Sequence, residues 1–107
     1  MFEIKGNEII MTKGDSAFFE IKLKNGDGSD FVRTEADEIV FSVKKRKEGY
    51  LPEIIRKCGE KIVFEKGDTE KIPSGEYVYD IRVERGTGRF TVLEGKFILR
   101  KAVHEFE

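Results

Sequence analysis

The segment Ser74-Gly75-Glu76-Tyr77-Val78-Tyr79-Asp80-Ile81-Arg82-Val83-Glu84 constrains the fold more than any other. A turn signal opens it and a strict period of two follows. Tyr77, Tyr79, Ile81 and Val83 fall on one face; Val78, Asp80, Arg82 and Glu84 fall on the other. A helix, with a period near 3.6, would scatter these residues around its axis. One apolar face and one mostly charged face instead specify a half-buried antiparallel strand. The segment fixes a fold class and offers no catalytic group.

The same alternation recurs along the chain. Strands are expected over Glu8–Thr12, preceded by a candidate at Phe2–Lys5, and over Ser16–Lys24, with Ala17, Phe19, Ile21 and Leu23 inward. Glu38–Lys45 follows, with Ile39, Phe41 and Val43 inward, then Glu53–Lys57 and Lys61–Glu65. After Glu76–Glu84 come Arg89–Glu94 and Lys96–Lys101, with a bend or bulge at Gly95 between them. Turns are signalled at Lys13-Gly14-Asp15, Asn25–Asp30, Cys58-Gly59 and Arg85–Gly88. Phe31–Asp37 reads as an irregular crossing and Arg46–Pro52 as a loop with its tip at Lys47-Glu48-Gly49. Gly67–Pro73 reads as a loop with one helical turn, capped by Asp68 or Thr69 and ended by Pro73. No segment carries a sustained helical period. About seven to nine short strands, with turns roughly every 8–12 residues, make an all-β antiparallel sandwich. It spans residues 1–107 as a single domain, with a frayed tail over about 102–107.

Composition narrows the function classes. Nine Phe offset a hydrophobic fraction of only 38% and supply a core. Twenty basic and 21 acidic residues leave a net charge of −1, which argues against a nucleic-acid partner. The single cysteine excludes an intrachain disulfide. Met1–Lys5 lacks the basic and apolar regions of a signal peptide, and no apolar run approaches the roughly 20 residues that span a membrane. The expectation is a protein made in the cytoplasm, without membrane, cofactor, metal or small-molecule substrate.

The residues able to carry chemistry are isolated. His104, the only histidine, stands in the charged tail and reads as an ordinary exposed residue. Cys58 has Lys57 beside it but no helix N-terminus to lower its pKa, so it reads as an incidental thiol. Asn25-Gly26-Asp27-Gly28-Ser29-Asp30 places Asp30 where a calcium loop needs Gly, and Ala36 where it needs Glu; it reads as a polar hairpin loop. Gly86-Thr87-Gly88 lacks the lysine and helix of a phosphate loop and reads as a hairpin turn. No carboxylate pair stands out. Lys44-Lys45-Arg46-Lys47 is the only basic run. With Arg56, Lys57 and Lys61 it forms either a solvated sheet edge that blocks aggregation or a positive contact surface, with Tyr50 the only aromatic nearby. Phe18, Val40, Val78 and Ile98 break the polar faces of their strands. They are either core residues of an imperfectly alternating sandwich or parts of a protein-contact surface.

Four motifs in matching order support a resemblance. They are Ile10-Met11-Thr12-Lys13-Gly14-Asp15-Ser16-Ala17-Phe18, Ala36-Asp37-Glu38-Ile39-Val40-Phe41-Ser42-Val43-Lys44-Lys45, the Asp68-Thr69 to Pro73-Ser74-Gly75-Glu76-Tyr77-Val78-Tyr79-Asp80-Ile81 stretch, and Thr91-Val92-Leu93-Glu94-Gly95-Lys96-Phe97. Together the chain resembles the small immunoglobulin-like β-sandwich domains of phages and prophages. It is similar to the N-terminal domain of siphophage baseplate upper proteins. The resemblance implies a virion or baseplate building block, with no catalytic residues. The first expected function is therefore a non-enzymatic structural or adaptor module acting on a protein partner or as a homo-oligomer, incorporated in a virion. The alternative is a small cytoplasmic binding module that inhibits or modulates a host protein.

Overall fold

The computed structural model describes residues 2–32, 34–46 and 52–102. These form eight strands and one helical turn: β1 (Phe2–Lys5), β2 (Glu8–Thr12), β3 (Ala17–Glu20), β4 (Asp37–Lys44), β5 (Ile55–Cys58), β6 (Lys61–Phe64), α1 (Lys66–Thr69), β7 (Gly75–Arg85) and β8 (Gly88–Arg100). The protein is all-β, in an arrangement compatible with a sandwich. Six strands make one sheet in the order β1-β2-β8-β7-β4-β5, and β3 pairs with β6 in a second, smaller sheet. Neighbours are antiparallel except β2 and β8, which run parallel with Ile9 opposite Phe97 and Thr12 opposite Arg100. Such a pair needs a long crossover. Here the crossover is the whole chain between the two strands, a relation that alternation within either strand does not encode.

The core lies between the sheets. Phe41 and Phe97 from the large sheet meet Phe19 and Phe64 from the small one. The Phe41 ring stands edge-on to Phe19 at 5.5 Å and to Phe64 at 5.9 Å between centroids. These separations and the edge-to-face geometry are those favoured by the ring quadrupole. Phe41, Phe64, Phe97, Met11 and Ile62 are fully buried.

Several element boundaries differ from expectation for local reasons. The strand expected over Ser16–Lys24 is regular only over Ala17–Glu20, because its partner β6 is four residues long. One further bond follows, from Ile21 N–H to the Glu60 carbonyl at 2.7 Å. The chain then turns through Asn25–Asp30. The two strands expected over Arg89–Lys101 are one, β8, and the bulge lies upstream of Gly95. Ile81 faces Leu93 while Arg82 faces Thr91, so Val92 is the extra residue. Gly95 serves close approach instead. A Cβ there would lie 2.0 Å from the Asn7 carbonyl oxygen. That oxygen accepts a 2.6 Å hydrogen bond from the Tyr79 hydroxyl, on the residue opposite Gly95.

Neither Asp68 nor Thr69 is the N-cap of α1; Glu65 is. Asp68 lies inside the turn and accepts the Glu65 N–H at 2.7 Å. Thr69 is buried, and its hydroxyl accepts the Gly14 N–H at 2.9 Å, tying the turn to the β2–β3 connection. Tyr77, at the start of β7, donates its hydroxyl to the Pro73 carbonyl. Ala102, where a frayed tail was expected to begin, is 3% exposed, and residues 103–107 lie outside the described residues. His104, Tyr50 and the loop tip at 47–49 lie outside the described residues.

Candidate functional site

Period-two alternation gives the large sheet two faces, and each is treated differently. On the outer face Arg82 is buried although charged, with its side chain 3% exposed. Its Nη1 donates to Ser42 Oγ at 2.7 Å and Asp80 Oδ1 at 2.9 Å, and its Nε to Glu84 Oε2 at 2.7 Å. Nη2 reaches Glu53 Oε1 at 3.2 Å. A buried guanidinium is tolerated only with its donors matched in this way. The hydrogen bond from Arg82 holds the Glu84 carboxyl below its ordinary range. The cluster is a lattice of satisfied bonds, in which the Ser42 hydroxyl accepts from Arg82 and donates to Asp80 Oδ1 at 2.9 Å.

The inner face is covered only in part. β3 and β6 roof the end around Phe41 and Phe97, while β7 and β8 run on beyond them. The uncovered end forms an open cleft of about 620 Å³. Its floor is Ile9, Tyr79, Ile81 and Val83; Phe31 and the Phe19–Lys24 segment form the opposite wall. Ile4, Phe90 and Val92 stand at the mouth, exposed by 49%, 61% and 48%. At one side the buried Asp37 carboxylate accepts Arg85 Nε at 2.6 Å, Arg85 Nη2 at 2.9 Å and the Thr34 N–H at 3.0 Å. The Arg85 hydrogen bonds, followed by that from Thr34, hold its pKa far below the ordinary carboxylate range. A carboxylate so held stays charged and occupied, and is unsuited to accept a proton as a general base. The cleft's capacity is therefore to bury apolar surface against a partly basic rim that includes Lys22 and Lys24.

The residues singled out in the sequence are dispersed. Phe18 is 60% exposed on the outer side of the small sheet, opposite Val63 and under the Lys61 ammonium at 4.7 Å. Val40 is fully buried on β4 between Arg82 and Cys58, which corrects its candidacy as a contact residue: it is core. Val78 and Ile98 are half-buried diagonal neighbours on the outer face of the large sheet, with Lys44 opposite Val78. Lys45 and Arg46 are exposed just past β4. Among the described residues the basic group is divided: Arg56 and Lys57 lie on β5, an edge strand of the large sheet, and Lys44 on interior β4. β4 is flanked on both sides by β5 and β7, so Lys44 is not on an edge strand. Arg56 is shared between Glu38 and Glu84, and Lys57 bonds Asp68 at 2.8 Å.

Cys58 closes β5 and donates its thiol to Glu38 at 3.0 Å. Burial first, and then that carboxylate, push its pKa up, the opposite of activation. In the Asn25–Asp30 loop, Asp27 Oδ1 accepts both the N–H and the hydroxyl of Ser29, and Asp30 pairs with Lys24. That is the geometry of a polar hairpin loop.

Sequence reasoning missed the cleft because Phe90 and Val92 alternate as core residues do. The mismatch of lengths shows only in the structure: the strand expected over Ser16–Lys24 is regular for four residues, as is β6, too short to cover the inward apolar positions of the β7–β8 hairpin. No family model and no curated protein matches the chain. Among the described residues no helix is long and apolar enough to cross a membrane.

Proposed function

We propose that this protein is a non-enzymatic structural or adaptor module of phage or prophage origin, acting by protein–protein contact through the open end of its inner sheet face. The observation that carries the contact reading is the cleft itself, floored by core residues and edged by exposed Ile4, Phe90 and Val92. Exposed apolar groups gathered at one concave site mark a docking surface, whereas scattered ones do not. The phage origin rests on the four motifs, several of which hold structural positions. Thr69 pins the helical turn, Tyr77 anchors to Pro73 much as the tyrosine corner of Greek-key sandwiches does, and Gly95 admits the Asn7 carbonyl. The protein is then made in the cytoplasm and incorporated into a tail or baseplate assembly.

The test is binding of the purified chain to the tail and baseplate proteins encoded beside it, with Phe90→Lys as the cleft variant. Binding that Phe90→Lys abolishes supports the proposal. Absence of binding to all of them, with tight binding to a host protein, replaces it with the inhibitor reading.

A further inference from the structure

Among the described residues, no strand occupies the lane beside the first half of β8. β2 flanks β8 only over Phe97–Arg100, and the β1–β2 turn ends beside Gly95. Among the described residues no strand continues that lane along Gly88–Leu93, although β7 pairs that stretch on its other side. The β7–β8 ladder fixes which backbone groups face the lane. Arg85 and Gly88 close a two-residue turn, with Gly86 at φ 57°, so they form a hydrogen-bonded pair, and so do Val83 and Phe90. Arg89 and Thr91 alternate with them, and their N–H and C=O groups point away from β7 into the lane. An exposed edge of this kind, rich in β-branched and aromatic residues, is a template for another strand.

We infer that the occupant is a second copy of this chain, its own edge pairing antiparallel over Phe90–Val92 about a two-fold axis at Thr91. Phe90-Thr91-Val92 is self-complementary in that register, and the bulge at Val92, which returns Leu93 to β7, ends the pairing there. Thr91 meets Thr91 of the partner subunit, and each can accept the other's N–H, because both face the lane. Phe90 meets Val92 of the partner subunit on the cleft side, twice by symmetry. Threonine–threonine and aromatic–β-branched pairs are among the favourable cross-strand combinations. A two-fold axis normal to the sheet keeps inner face with inner face, so the two clefts join into one trough. The contact is isologous and closed, which limits it to a dimer. Its area is that of one short strand pair and its flanking side chains, which places it in the transient class, below about 1,200 Å². This inference rests on the contact reading above, since it names a partner for the mouth of the same cleft.

The test is sedimentation equilibrium over a wide concentration range, with amide hydrogen exchange at its two ends. The expected mass climbs from one chain toward two, and the Thr91 amide gains protection with concentration. Thr91→Pro removes a lane-facing N–H without touching the β7 ladder, and should hold the mass at one chain. Phe90→Lys should do the same. Phe18→Lys, at an equally exposed ring on the other sheet, should leave the dimer intact. Should Thr91→Pro fail to fold, Phe90→Lys and the amide protection of the unaltered chain still decide. A mass of one chain throughout, or a dimer that survives Phe90→Lys, overturns the inference. Binding of a tail protein by a strictly monomeric chain would overturn the dimer and leave the contact reading standing. A monomer that binds nothing would remove both.

Discussion

The two ends of one sheet face have nearly the same residue pattern and opposite fates. At the covered end, Phe41 and Phe97 lie under β3 and β6 in a ring cluster with Phe19 and Phe64. At the open end, beyond the bulge that resets the register at Val92, Phe90 lies opposite Val83, and Phe90 and Val92 line the cleft and face solvent. Alternation assigns a side chain to a face; it does not say whether anything lies over that face. The second layer decides that, and here the second layer is two strands of four residues each. The covered end carries the buried ring cluster, and the open end leaves its apolar side chains exposed.

The contrast can be broken most forcefully at the covered end. Phe41→Ala removes a fully buried ring that meets four others, and should lower unfolding free energy by about 3–5 kcal/mol in urea titration. A loss under about 1 kcal/mol would mean that the roof is not closed in solution. Arg82→Leu comes next. It leaves Asp80, Glu84 and Glu53 facing one another without their shared cation. Those carboxylates retain some exposure, at 25–30%, which sets the expected loss near the low end for a broken buried pair, about 3 kcal/mol.

Acid should act through Asp37 and Glu84. Both are held below their ordinary values when folded, so the unfolded chain takes up protons first as pH falls. The stability they confer is fully present above the ordinary carboxylate range and is lost as pH drops through and below about 4. The urea midpoint should be flat from neutral pH to about 5 and then fall. Arg85→Ala, by releasing the Asp37 carboxyl toward its ordinary value, should make that fall shallower. The smallest effect belongs to the open end. Phe90→Lys should change unfolding free energy by less than about 0.5 kcal/mol, as an exposed substitution does, while removing contact with partners. A large stability loss there would place Phe90 in the core and erase the difference between the two ends.

Much of the fold was legible, because strand alternation is a local property. The β7 face, the β7–β8 hairpin turn, the inward set on β4 and the polar Asn25–Asp30 loop all follow from adjacent residues. Non-local relations were not legible. The parallel β2–β8 pair joins strands more than eighty positions apart. Arg82 looked like any exposed charge in an alternating strand, and only its meeting with Ser42, Glu53 and Glu84 shows it buried. Val40 could be read as core or as contact surface, and only its place between Arg82 and Cys58 in the folded sheet shows it buried. Gly95 was read as a bend or bulge, whereas its lack of a side chain lets the distant Asn7 carbonyl approach. The cleft was hidden because its lips obey the rule for core residues.

The most direct measurement places a photo-crosslinking phenylalanine analogue singly at positions 90 and 92, and at 18 and 63 as exposed apolar controls on the other sheet. Irradiation in the presence of the proposed tail or baseplate partners should give protein–protein adducts at 90 and 92 and little at 18 and 63. Equal yields at all four positions, or adducts confined to 18 and 63, would contradict the assignment of contact to the open end of the inner face.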